Sequence, residues 1–282
     1  MKYKKIITGG CSFSDPATPY TWPNQLQKHI ERLHPNVTFD HRGLSSQGQD
    51  LIQKKTIHAI FEAMKQGYKP EDICIFVMWS SSDRKSYYID HRDFVDDIVD
   101  NWKISKQGWQ LQFGDLKNQA EFEEVAHSLA NYNNAIRYNT RGGWFITSSH
   151  TVDNIKMYRD MYLMGAGESG RHPAASIHHS IEHMIMLQSF CKSLGIKIYQ
   201  QFFMDIVRKD FEVLKNHQLV EYLYKQLDLD TFILPESSIH GFLKNNPECF
   251  KDLNDPHPNG LGHRRWLTEV MLPHIIDDDF FK

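Results

Sequence analysis

The most constraining stretch of this chain is Ile73-Cys74-Ile75-Phe76-Val77-Met78-Trp79, an apolar run with no charge and no turn former. A strand with one wet face alternates apolar and polar side chains. An unbroken run is the pattern of a strand buried on both faces. Such strands belong to parallel sheets, whose crossover helices cover them on each side. The flanking sequence agrees. Lys5-Ile6-Ile7-Thr8 reads as a short first strand ending at Gly9-Gly10, Val37 to Asp40 as a second, and Ile196 to Phe203 as another. Between and after them the apolar spacing predicts five helices. The first opens at Trp22-Pro23 and carries Leu26, Ile30 and Leu33. The second runs from about Leu51 to Met64, with Ile57, Ile60, Phe61 and Met64 on one side. The others run from about Ala174 to Leu194 (capped by Gly195), Phe211 to Leu227, and Leu261 to Met271, the last stopped near Pro273. The expected class is therefore α/β around a central parallel sheet.

From 85 to 173 the alternation loosens. Tyr87, Tyr88, Trp102, Trp109 and Trp144 fall there, with loop-like Gly142-Gly143 and Gly165 to Gly170 and a helix predicted from Ala120 to Tyr132. Without repeats, low-complexity tracts or a linker, residues 1–282 read as a single domain with 85–173 as an insertion or lid-like elaboration. Its aromatics suit stacking on sugar rings, and equally a small core of the insertion's own.

Composition closes several doors. Lys+Arg is 32 against Asp+Glu 35, net −3, which excludes a globally basic nucleic-acid binder and a polybasic membrane patch. No apolar run approaches the roughly 18 residues of a membrane span. The lysines near the start are followed only by Ile6 and Ile7 before the glycines, which is not a secretory signal. Four cysteines (Cys11, Cys74, Cys191 and Cys249) show no paired spacing and read as reduced thiols, so the expected compartment is the cytoplasm. Neither a GxxxxGK[ST] loop nor a GxGxxG turn is present, and no metal or organic cofactor is expected.

Ligands of open parallel sheets bind beyond the carboxyl ends of the strands. Polar loops stand at three such ends: Gly10-Cys11-Ser12-Phe13-Ser14-Asp15, Gly43-Leu44-Ser45-Ser46-Gln47-Gly48 and Ser80-Ser81-Ser82-Asp83-Arg84. A fourth cluster, Asn254-Asp255-Pro256-His257-Pro258-Asn259-Gly260, precedes the last helix. A serine and a histidine meeting at one sheet edge supply the hydroxyl and the base that acyl transfer needs.

These blocks, in this order, resemble those of the GDSL/SGNH hydrolases. Gly10-Cys11-Ser12-Phe13-Ser14 is similar to the first block, which carries the nucleophile, and Thr21-Trp22-Pro23 with Leu26 to a helix start often seen there. Gly43 to Gly48 resembles the second block, and Asp255-Pro256-His257-Pro258-Asn259, with Gly262-His263 after it, the fifth. The resemblance implies a flavodoxin-like three-layer α/β/α sandwich and a serine esterase acting on a small, acetyl-type ester. A carbohydrate ester is one candidate substrate, and no nucleic acid or membrane partner is implied. It also implies roles: Ser12 as nucleophile, His257 as base, Asp255 as its orienter, and an oxyanion hole from Ser12, Gly48 and Ser82. Asp83, Arg84 and Asn254 fall in supporting positions. Two places depart from the pattern. Ser82 stands where the third block carries asparagine, and Asn254 stands at the usual position of the acid, three before the histidine. A looser likeness is to SGNH-like proteins encoded by bacteriophages.

Other readings compete. Ser12 at a glycine-rich turn equally suits a helix cap, and Gly43 and Gly48 equally suit turn geometry. Asp83-Arg84 fits a structural ion pair, and His263 fits the outer face of the last helix. Lys54-Lys55 and Arg264-Arg265 read as solvated helix faces. His179-Ser180-Ile181-Glu182-His183 matches the HxxEH pattern of a zinc hydrolase. A flavin-phosphate loop at Gly9 to Ser14 leaves the His257 block without a purpose. An acyltransferase, or a non-catalytic binding protein that keeps the fold, would share the same residues.

Overall fold

The computed structural model describes residues 2–44, 47–82, 84–90, 142–147, 173–204, 215–252, 255, 257–278 and 280–281. The chain divides into two compact units, one of Met1–Ser82 with Ile177–Lys282 and the other of Asp83–Ser176. In chain order the elements are β1 (Lys5–Gly9), a 3-10 turn (Ser12–Ser14), α1 (Trp22–Leu33), β2 (Thr38–His41), α2 (Gln49–Lys65) and β3 (Ile73–Trp79). Next come β4 (Lys85–Asp90), β5 (Gly142–Thr147), α3 (Pro173–Leu194), β6 (Lys197–Phe202), α4 (Gln218–Tyr224) and α5 (Ile239–Leu243). Last are α6 (Gly260–Arg265), a π-helical segment (Trp266–Met271) and α7 (Leu272–Asp277).

The first unit holds a four-stranded, all-parallel sheet in the order β2-β1-β3-β6, with helices between the strands: the α/β class. Lys5 pairs with Thr38 on one side of β1 and with Ile73 on the other, and Cys74 pairs with Lys197 across β3 and β6. Every residue of β3 is buried, as its unbroken apolar run requires. The chain moves from β1 to one side and returns to β3 on the other. The carboxyl ends of β1 and β3 therefore flank the crevice of such a sheet.

Neighbouring glutamines in β6 point to opposite faces and are both buried. Gln200 Oε1 accepts from the indole of Trp79 at 2.8 Å, and Gln201 Oε1 from that of Trp266 at 2.7 Å.

Several predicted helices change at their edges or faces. In α1, Trp22, Leu26 and Ile30 are buried, but Leu33 is 58% exposed in the last turn. On α2 the buried residues include Ile52, Thr56, Ala59, Ile60 and Ala63, whereas Phe61 is exposed. Small side chains there let the helix lie close to the sheet, which the larger Phe61 and Met64 would prevent. Lys55 is buried rather than solvated. The helix expected over Phe211 to Leu227 is described only as α4, since 205–214 lie outside the described residues. Pro273 does not stop the last helix. The π-helical segment shifts the hydrogen-bond register just ahead of it, and Pro273 sits as the second residue of α7 where that pattern changes.

In the second unit β4 and β5 pair antiparallel, from Lys85 opposite Thr147 to Asp90 opposite Gly142. Gly142-Gly143 thus opens a strand and not a loop, because Trp-Phe-Ile-Thr behind it is rich in strand formers. The expected helix over Ala120 to Tyr132, Gly165 to Gly170, Trp102 and Trp109 lie outside the described residues. All four cysteines are free and buried. Among the described residues no helix is long and apolar enough to cross a membrane.

Candidate active site

β1 ends in Gly9, and Gly10 turns the chain with φ +152°, a conformation that side chains rarely adopt. A Cβ on Gly10 would lie 2.4 Å from Ser14 Oγ, and one on Gly43 would lie 2.0 Å from the Ser14 carbonyl oxygen. The two glycines let the first two loops pack backbone to backbone. The 3-10 turn that follows is closed by Ser14 N–H to Cys11 O at 2.8 Å. Ser14 Oγ accepts from the indole of Trp22 at 3.0 Å, so the first residue of α1 fixes the serine turn. Ser12 caps no helix. Its Oγ lies 2.8 Å from Nε2 of His257, 245 positions away in sequence.

The histidine arrives on a short antiparallel link. Phe250 bridges to Pro258, and Lys251 N–H donates to His257 O at 3.0 Å. Asn259 anchors its end: Oδ1 accepts from Leu261 and Gly262 N–H as the N-cap of α6, while Nδ2 donates to Glu248 and Phe250 carbonyls. Asp255 Oδ1 accepts from both His257 N–H (2.9 Å) and its Nδ1 (2.5 Å). A carboxylate two residues before the histidine thus reaches the ring through a local side-chain turn. Asp252 Oδ1 in turn accepts from Asp255 N–H at 2.9 Å. Partial burial alone would raise the Asp255 pKa. The two bonds from His257 and the charges of His257 and Lys251 outweigh it and hold the carboxyl below its ordinary range. The side chains of His257 and Asp255 stay 34% and 33% exposed, open enough for a substrate to reach the ring. Phe13 forms the wall behind, with its ring 4.9 Å from that of His257 and edge-on to Phe203 at 5.3 Å.

Gly48 is the N-cap of α2, so its amide stands at the positive end of a 17-residue helix. Among the described residues neither the Ser12 nor the Gly48 N–H donates to a protein acceptor. The glutamines on either side of Gly48 hold the loops in place. Gln47 Nε2 donates to Gly10 O and Arg42 O, both at 2.9 Å. Gln49 takes the main chain of Ser80 at both ends, accepting from its N–H at 2.9 Å and donating to its carbonyl at 2.5 Å. The carboxyl ends of β1 and β3 are thereby fixed to the start of α2. Ser82 lies half-buried two residues beyond this clamp. Sequence reading gave neither glutamine a role, and their only signal was the Gln-Gly-Gln start of α2.

Of the remaining candidates, Ser45, Ser46, Asp83 and Asn254 lie outside the described residues. Arg84 is half-buried just before β4 and belongs to the second unit. His263 is corrected: it does not face outward but is 2% exposed, between Phe13 (6.4 Å) and Tyr20 (6.1 Å). Burial first, and then the charges of His257 and Lys251, lower its pKa to about 3. Lys55 is lowered to about 7 by burial and by the Arg42 cation, against the raising effect of Asp15 and Asp40.

The HxxEH pattern does not come together. His179 Nδ1 lies 3.0 Å from Glu182 Oε2, with His178 at 3.5 Å, but His183 Nδ1 turns to Gln53 Oε1 at 3.1 Å. Half-buried against α2, His183 finds its acceptor on that helix, while His178 and His179 share Glu182. His178, His179 and Glu182 are therefore the residues on α3 whose ligand atoms cluster, all within 4.8 Å of one another.

No protein-family model, curated protein or solved structure matches this chain.

Proposed function

We propose that the first unit is a serine ester hydrolase of GDSL/SGNH type, with the flavodoxin-like α/β/α sandwich that class implies. The observation that carries this reading is the continuous Ser12–His257–Asp255 hydrogen-bonded chain, assembled from the two ends of the sequence. Ser12 Oγ attacks the acyl carbonyl while His257 Nε2 takes the hydroxyl proton. Asp255 keeps the remaining ring proton on Nδ1 and stabilises the imidazolium. The Ser12 and Gly48 amides, with Ser82, hold the oxyanion. His257 then returns its proton to the leaving alkoxide, and the alcohol departs. A water molecule, deprotonated by the same Nε2, attacks the acyl-serine and releases the acid, restoring the Ser12 hydroxyl. None of these steps calls on a metal or an organic cofactor.

The substrate proposed is a small acetyl-type ester. Its carbohydrate alcohol rests on the aromatic-rich 85–173 stretch of the sequence alone. A serine in place of the usual asparagine at 82 favours a second reading, a binding protein that keeps the fold with a weakened site.

The test is hydrolysis of p-nitrophenyl acetate by wild type, Ser12→Ala and His257→Ala, with the fold checked by circular dichroism and Ser12 labelling by a serine-directed phosphonate. Turnover and labelling in wild type, both lost in folded Ser12→Ala, support the hydrolase. A wild-type protein that neither turns over nor labels leaves the binding protein.

A further inference from the structure

A groove of about 460 Å³ runs between α1 and the α6–π segment, entirely within the first unit. Four of its lining residues are basic: Lys28, His29 and Arg32 from α1, and Arg264 from α6. No carboxylate lines it. Among the described residues Lys28, Arg32 and Arg264 make no ion pair. Lys28 and Arg32 stand four apart on one helix face, where like charges repel.

This is costly clustering in a chain of net −3, and the contrast next door sharpens it. Arg265 is held by both oxygens of Glu269, at 2.8 and 3.0 Å, while Arg264 beside it is left facing the groove. Burial and then the Arg32 cation lower the pKa of His29, so the ring adds a neutral N–H donor to the three charges. The walls are braced against each other. Gln25 Nε2 donates to the carbonyls of Tyr20 (2.5 Å) and Gly260 (3.2 Å), which joins the two sides of the groove.

We propose that this groove binds a small anion bearing two or more phosphate groups, as a free oligophosphate or as the phosphate end of a small molecule. The volume is that of a small-molecule pocket and too small for a polymer. Two guanidinium forks match phosphate oxygens in pairs, and Lys28 supplies a mobile point charge. The site is separate from the candidate active site and does not rest on the ester-hydrolysis reading, since Ser12, Asp255 and His257 do not line it.

The test is calorimetric titration of the whole protein with inorganic tripolyphosphate at constant ionic strength, repeated with citrate. The expected result is saturable binding that Arg32→Glu and Arg264→Glu, both at exposed positions, each weaken by about tenfold or more. Lys244→Glu, an exposed cation elsewhere on this unit, should leave it unchanged. Absence of binding at about 10 mM, or equal weakening by Lys244→Glu, overturns the site. Citrate binding as tightly as tripolyphosphate overturns the phosphate assignment.

Discussion

Two histidine groupings in this molecule form in opposite ways. On α3, His178, His179 and Glu182 meet because helical spacing puts residues three and four apart on one face. At the crevice, Ser12 and His257 meet only because β1, the 3-10 turn, the Phe250–Pro258 bridge and the cap at Asn259 all form together. Local proximity comes with any helix, whereas long-range proximity needs a whole fold to close. Contact across 245 positions therefore says more about chemistry than the tighter-looking motif does.

The widest separation between the clusters should come from truncation. Ser12→Ala and His257→Ala should each lower kcat on p-nitrophenyl acetate by about 10³-fold or more, while His179→Ala and Glu182→Ala leave it unchanged. Parallel loss in both sets would erase the distinction. Asp255→Asn keeps the shape but removes the charge that holds the Nδ1 proton, and should cost about 10²–10⁴ in kcat with little change in KM. Retained activity would show that another group orients the ring.

Smaller effects probe the supports. Gln49→Leu removes both bonds from this side chain to the buried Ser80 main chain and should destabilise by about 1–3 kcal/mol in urea unfolding. The same change should lower kcat by about tenfold, because the clamp fixes the β3 loop beside Gly48. Unchanged kinetics in a folded variant would remove the clamp from the account of the site. Lys55 gives the mildest case. With its pKa near 7 in the fold and 10.5 when unfolded, the unfolded chain binds more protons between these values. Stability attributable to Lys55 therefore rises with pH from about 7 to 10.5, and its burial penalty is greatest below 7. Lys55→Met should raise the thermal midpoint by about 2–6 °C at pH 6, and by less at pH 10.

The same contrast explains what the sequence made legible. β3 could be read because burial on both faces leaves a mark at every position. The meeting of Ser12 and His257 could be anticipated because their flanking residues resemble blocks of a known family in the same order. Asp255 is harder to read, as Asn254 occupies the expected position, and only the local turn shows that a two-residue offset reaches Nδ1. Gln47 and Gln49 escaped notice because a glutamine amide bonds main-chain groups that no side-chain pattern marks. Lys55 and His263 were misplaced for a related reason: polar residues on a helix are read as solvated, and burial of a titratable group depends on what packs against it. The continuation of the last helix past Pro273 depends on a π-helical segment that has no periodic signature.

The two glutamine–indole pairs of β6 bear on how the protein avoids going wrong. β6 pairs with β3 although the 83–176 unit separates them in the chain. A strand so distant from its partner has no tight turn to set its register, which its side chains must fix instead. A one-residue slip would move one glutamine into the other's place and leave one of the two buried indoles without an acceptor, a penalty that an all-apolar strand would not feel. Only the native register gives both indoles an acceptor at once, so the two pairs specify the alignment of β6 in the sheet.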